Sequence, residues 1–225
     1  MRLTADHIKK SYGSKQVLRD ISFHGAGGEC IGILGANGCG KSTLLSILAG
    51  VQASDGGSFR IDGEEILGRK GRGEEAISYI PQGTPLMEEL TAKDHLRLWY
   101  CRSSLNYKKE LQTGMLAMLG IGDFLNVPVK KMSGGMKKRL SIGCAIANDP
   151  SVIIMDEPSA ALDLIGKERI HTYIRSFKEQ GGIVLLATHE EQEINLCDRL
   201  YIMKDGILTE HNYGGNIHRL AGMLV

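Results

Sequence analysis

Cys30-Ile31-Gly32-Ile33-Leu34-Gly35-Ala36-Asn37-Gly38-Cys39-Gly40-Lys41-Ser42-Thr43 is the stretch on which the reading of the fold turns. From Gly35 to Thr43 it fits G-x-x-x-x-G-K-[ST], the pattern of a loop that cradles phosphates. Gly35, Gly38 and Gly40, with Asn37 and Cys39 between them, let successive backbone N–H groups turn inward. The helix that follows aims its positive dipole end at the same point. Lys41 then reaches the β- and γ-phosphates, the Ser42 hydroxyl can ligate Mg²⁺, and Thr43 closes the motif. Cys30–Leu34 reads as a buried strand before the loop, and Ser42–Leu48 as a helix after it. This strand–loop–helix unit implies a nucleoside triphosphate as ligand.

Outward from this unit, Val17–Phe23 alternates apolar and polar residues as a strand does. Asp62-Gly63 and Asp205-Gly206 sit between β-rich runs and predict hairpin turns. Ile77–Ile80 is a further strand, closed by Pro81-Gln82-Gly83. The pattern turns helical from about Thr91 to Ala147, with Leu96, Trp99, Tyr100, Leu111, Met115, Met118 and Leu119 on spaced faces. Val152–Met155 and Ile183–Ala187 then read as short buried strands around a helix at about Ile165–Gln180. The sequence thus predicts an α/β core split by a mainly helical insert.

Val152–Met155 runs straight into Asp156-Glu157. Asp156, at the strand tip, is placed to hold Mg²⁺ through water, and Glu157 to polarise an attacking water as general base. His189 follows Ile183–Ala187, at the strand ends where ligands of α/β sheets bind. Its imidazole can hydrogen-bond a γ-phosphate and orient the carboxylate. Gln82 also ends a strand, and its side-chain carbonyl can touch Mg²⁺ or the attacking water. Ser133-Gly134-Gly135 precedes an apolar-periodic segment, with Ser133 as N-cap and free N–H groups at the helix start. That is a second anion site far from the first in sequence, and two half-sites for one nucleotide call for a partner copy.

Composition bounds the class. The chain has 225 residues, of which 42% are hydrophobic, enough for one domain with a sizeable core. Lys and Arg number 27 against 26 Asp and Glu, so charge gives no argument for nucleic acid as a partner. No apolar run approaches the ~20 residues that span a bilayer. The amino terminus lacks the charged-then-apolar pattern of a signal segment, which predicts a cytosolic protein. The five cysteines lack metal-like spacing and are expected mostly as small core residues. Cys39 is the exception, because a helix N-terminus favours its thiolate.

Taken together, these residues closely resemble the nucleotide-binding subunit of an ATP-binding cassette (ABC) transporter, over essentially the whole chain. Gly35–Thr43 matches the Walker A loop, Gln82 the Q-loop, Met132–Met136 the signature, Val152–Glu157 Walker B with its catalytic glutamate, Ser159–Asp163 the D-loop and His189 the switch histidine. Tyr12 matches the aromatic residue that stacks on adenine.

The resemblance implies a P-loop NTPase (RecA-like) core with an N-terminal antiparallel β subdomain and an inserted helical subdomain. The core and β parts fall at 1–83 and 148–225, and the helical part at 84–147. It implies hydrolysis of ATP with Mg²⁺ by an ATP-dependent dimer, in which Ser133 and Gly135 of one copy contact the γ-phosphate held by the other. Lys41, Mg²⁺ and His189 would stabilise charge on the transferring phosphoryl group.

A separately encoded transmembrane permease is the implied partner. It would dock near Met87, Leu90, Trp99 and Tyr100 and hold the chain on the cytoplasmic face of the membrane. Ser133–Ser141 resembles the exporter subgroup. The signature departs from the usual Leu-Ser-Gly-Gly-Gln by having Met136 at its end, which removes an amide from the cross-subunit contacts. A soluble cassette in an assembly role, such as iron–sulfur cluster assembly, fits the same residues.

Overall fold

The computed structural model describes residues 1–68, 76–160, 162–215, 220 and 222. Among them, strands β1 (Arg2–Tyr12), β2 (Lys15–Ala26), β3 (Cys30–Leu34), β4 (Gly56–Ile61), β5 (Glu64–Glu65), β6 (Ile77–Ile80), β7 (Val152–Asp156), β8 (Ile183–Ala187), β9 (Arg199–Lys204) and β10 (Ile207–His211) lie side by side. Their order is β5-β4-β1-β2-β10-β9-β3-β8-β7-β6. From β9 to β6 the neighbours run parallel, whereas β1, β2, β4 and β5 pair antiparallel.

Every residue of β3, β7 and β8 is buried. Such continuous apolar runs suit parallel strands covered on both faces. Alternate residues feed separate cores. Cys30, Ile153, Met155, Val184 and Leu186 face one that includes Leu96, Leu116, Leu140, Ile170 and Tyr173. Ile31, Ile33, Val152, Ile154, Leu185 and Ala187 face the other, which includes Leu44, Leu48, Leu18, Ile21 and Phe59. Helix α1 (Lys41–Leu48) is therefore held between the parallel strands and the antiparallel ones.

Between β6 and β7 the chain runs through α2 (Ala92–Trp99), α3 (Tyr107–Thr113), α4 (Met115–Met118) and α5 (Gly134–Ala145), with short 3₁₀ turns. Helix α6 (Leu164–Glu179) links β7 to β8, and the short α7 (Glu191–Ile194) follows β8. The strand and helix expectations around Gly35–Thr43, Ile77–Ile80, Val152–Met155 and Ile183–Ala187 agree with these elements. Both expected hairpin turns form, with positive φ at Asp62, Gly63, Asp205 and Gly206.

The helical faces need a correction. Leu96, Tyr100 and Leu119 are buried, but Trp99 and Met118 are 48% and 37% exposed. The cysteines also divide unevenly. Cys30 and Cys144 are buried, Cys39 and Cys197 half-buried, and Cys101 is exposed. Burial pushes the Cys144 thiol up to about 12, as expected of an inert core cysteine.

Candidate functional site

The phosphate loop owes its shape to its glycines. Gly38 has φ 76° and Gly40 φ 115°, in the left-handed region that glycine alone enters freely. A Cβ on Gly40 would also come within 3.0 Å of Val17 Cγ1. Helix α1 starts from Gly40 with no side-chain cap. A missing cap costs about 1 kcal/mol, whereas each buried Leu or Ile contributes ~1.5–3 kcal/mol. Leu44, Leu45, Ile47 and Leu48 are all fully buried. Packing therefore holds the helix, and its first N–H groups stay free for an anion.

Lys41 is 6% exposed, and its ammonium donates to Gly35 O at 2.7 Å and Ala36 O at 3.2 Å. A cavity of about 440 Å³ opens over the loop, lined by Val17, Asn37, Gly38, Gly40, Lys41, Ser42, Thr43, Gln82 and Glu157. Val17 was not anticipated. It reads as one more apolar residue of β2, and only the return of that strand over the loop brings it to the cavity. Cys39 does not line it; Sγ packs beneath the loop, where a Cβ on Gly35 would lie 2.6 Å away. Tyr12 is half-exposed at the β1–β2 hairpin, its hydroxyl bonded to Gln52 Nε2.

Strand β7 ends at Asp156, which is 3% exposed and does not line the cavity. Glu157 follows with φ 47°, a strained conformation for a residue with a side chain. Its N–H donates to Ala187 O at 2.9 Å. Gln82 Nε2 donates to Glu157 Oε2 at 2.8 Å, and His189 Nε2 lies 3.7 Å from Glu157 Oε1. Residues 82, 157 and 189, far apart in sequence, thus meet at one carboxylate.

The turn at Gln82 is itself held by Lys138 of α5. Its ammonium, 5% exposed, donates to Pro81 O at 2.7 Å. Burial pushes this lysine down to about 8, while Asp156, Glu193 and Glu157 pull the other way. Lys138 was overlooked because it reads as one of a run of surface charges, Lys137-Lys138-Arg139.

Ser133 caps α5, accepting from Met136 N–H at 3.2 Å. Ser133 is exposed and Gly135 half-buried, and neither lines the cavity over the phosphate loop. A single chain therefore does not bring the two anion sites together. Of the expected D-loop, Ala161 lies outside the described residues.

Ser42, Gln82 and Asp156 offer hydroxyl, amide and carboxylate oxygens, the hard donors that Mg²⁺ takes. Among the described residues, no cluster of three or more His, Cys, Asp or Glu could hold an ion alone.

The ABC transporter family matches residues 18–160, a span that includes the phosphate loop, Gln82, Ser133–Met136 and Glu157. The chain belongs to the ABC transporter family. As an ATP-binding subunit of that family it binds nucleotide and is an ATPase.

The Nod factor export ATP-binding protein I of Paraburkholderia xenovorans is 37% identical over 204 residues, covering 89% of this chain and 67% of that protein. The linearmycin resistance ATP-binding protein of Bacillus subtilis is 33% identical over 91% of this chain and 67% of its own length. Among solved structures, the ATP-binding subunit of an ABC transporter superposes with TM-score 0.84 at 28% identity, over 99% of this chain and 94% of that one. A dimeric cassette in a post-hydrolysis state with ADP and Pi superposes with TM-score 0.83 at 25% identity, over 93% and 98%.

Proposed function

We propose that this chain is the ATP-hydrolysing motor subunit of an exporter whose membrane permease is a separate chain. The observation that carries the reading is the meeting of Gln82 and His189 at Glu157, on the cavity that the phosphate loop lines.

In this reading Lys41 leaves the carbonyls of Gly35 and Ala36 for the β- and γ-phosphates of ATP. The loop N–H groups from Asn37 to Thr43 hold the phosphates, and Tyr12 stacks on the adenine. Ser42, Gln82 and Asp156 would hold Mg²⁺, which would supply positive charge to offset that of the phosphates. Glu157 takes a proton from the attacking water, and Gln82 orients that carboxylate from one side. His189 hydrogen-bonds the γ-phosphate from the other side and steadies charge on the transferring group.

Ser133 and Gly135 of a second copy complete the site, which makes an ATP-dependent homodimer the working unit. The exposed Ser133, which does not line its own chain's cavity, supports this. Residues 84–147 form the helical part that moves as the dimer closes, against a nucleotide-binding part at 1–83 and 148–225.

The permease contact falls on a groove of about 240 Å³ lined by Ile77, Tyr79, Pro85, Leu86, Trp99 and Cys144 among others. Trp99 and Met87, each about half exposed, and the half-buried Leu90 lie where this contact is expected; the buried Tyr100 belongs to the core instead. No described helix is long and apolar enough to cross a membrane. The subunit would sit on the cytoplasmic face through its permease. Export, rather than import, is carried over from the names of the relatives.

Tagged Glu157→Gln protein, incubated with Mg-ATP and native membranes, tests this. It should bind ATP without hydrolysing it and recover a polytopic membrane protein. Turnover at the parental rate would overturn the role of Glu157. Recovery of soluble partners alone would replace the transporter reading with an assembly role.

A further inference from the structure

Strands β7 and β8 pair as far as Asp156 and Ala187, and the Glu157 N–H adds one more bond to Ala187 O. Beyond that the backbones separate, one toward Ser159 and the other toward Thr188. A single carboxylate spans the gap. Glu193 on α7 is 0% exposed; its Oε1 accepts from the Ser159 hydroxyl and its Oε2 from the Thr188 hydroxyl. Both donors are themselves buried, at 0% and 1% exposed. Thr188 Oγ1 in turn accepts from Glu190 N–H at 2.9 Å, so the turn bearing His189 is wound around that hydroxyl.

Among the described residues, nothing at hydrogen-bond distance neutralises this carboxylate. Its nearest basic neighbour is His171 of α6, whose Nε2 lies 4.0 Å away and has no hydrogen-bond partner among the described residues. Burial pushes the Glu193 carboxyl up, against the two hydroxyl bonds, and pushes the His171 imidazole down. A buried carboxyl bonded to neutral hydroxyls is costly, even with the charges of Lys167 and Lys138 acting on it from a distance. In exchange it supplies what an apolar side chain could not, two stiff O–H···O bonds that fix one loop against the other.

We propose that Glu193 is a positioning residue that clamps the Ser159 loop to the Thr188 turn and thereby sets the separation of His189 from Glu157. This inference rests on the roles of Glu157 and His189 proposed above. The loop that leaves Glu157 and the turn that carries His189 share no other side-chain acceptor of this kind among the described residues. Loosening the clamp lets the imidazole drift while the phosphate loop stays intact.

Steady-state hydrolysis and ATP affinity of Glu193→Gln, Thr188→Val, His189→Ala and the Glu193→Gln/His189→Ala double variant test the clamp. Glu193→Gln should lower kcat about tenfold or more and leave the Kd for ATP within about twofold. With His189 already removed, Glu193→Gln should add little, because coupled residues are not additive. A folded Glu193→Gln protein with parental kcat would overturn the clamp, as would full additivity with His189→Ala. Should Glu193→Gln not fold, Thr188→Val and Ser159→Ala each break one of its bonds, and parental kcat in both would overturn it equally. If His189→Ala itself hydrolyses at the parental rate, it is the role of His189 that fails. Slow His189→Ala with normal Glu193→Gln removes the clamp alone.

Discussion

Lys41 is the residue on which the proposed phosphate contact depends most. Its ammonium is buried and finds no carboxylate, only the carbonyls of Gly35 and Ala36. Neutral acceptors satisfy the donors but leave the charge uncompensated, so a phosphate that enters gains the full interaction. Lys41→Ala should therefore weaken ATP binding by at least about tenfold, while the fold survives on the packing of α1. Isothermal titration with ATP, alongside a thermal unfolding curve, checks both halves of that expectation. Unchanged affinity would remove the phosphate-loop argument. At this scale the sequence was legible where spacing alone carries the chemistry, as from Gly35 to Thr43. It was opaque where burial carries it. Glu193 stands beside the exposed Glu191 and Gln192, and nothing in the letters Glu190-Glu191-Gln192-Glu193 says which one turns inward.

The elements explain why separate motifs converge. Parallel β6, β7 and β8 are neighbours, so their carboxyl ends deliver Gln82, Glu157 and His189 to one rim. That rim could be anticipated, because β-rich runs ending in polar residues recur along the chain. The tether between α5 and the Gln82 turn could not, since a lysine among basic neighbours looks solvated. Its energetics give a test. Folding lowers the Lys138 pKa from 10.5 to about 8. Below pH 8 both states carry the proton, and the folded protein bears the cost of burying the charge. Between about 8 and 10.5 the unfolded chain binds more protons, so this lysine makes stability rise with pH in that window. Urea-unfolding free energies across that range should rise for the parent relative to Lys138→Met. Parallel curves would show that the buried ammonium is not the titrating group. The variant should also lower hydrolysis, because the bond from the helix capped by Ser133 to Pro81 O, beside Gln82, is then lost.

For the molecule as a whole, the proposed site shared between two copies is the reading to test. One face of the cavity holds the phosphate loop, Gln82 and Glu157, but the N–H groups after Ser133 open elsewhere. Exposed N–H groups at a capped helix start attract anions, yet a single chain offers them none of its own bound phosphate. A second copy, turned to bring its Ser133 over the first copy's loop, satisfies both by symmetry, since each contributes what the other lacks. Nucleotide then acts as the adhesive, and mass action predicts that the pair persists only while ATP does. Replacing Glu157 with Gln retains a side chain that can meet Gln82 while removing the proposed base, so the pair should accumulate. Light scattering of Glu157→Gln protein should give the mass of two chains with Mg-ATP and of one chain with Mg-ADP. Replacing Gly135 with a bulky residue such as Trp in the same background should return the ATP sample to one chain, because a large side chain at the helix start covers the N–H groups. A monomer under every condition would mean that the anion site at Ser133 serves some other ligand, and that the phosphate loop works without a partner copy.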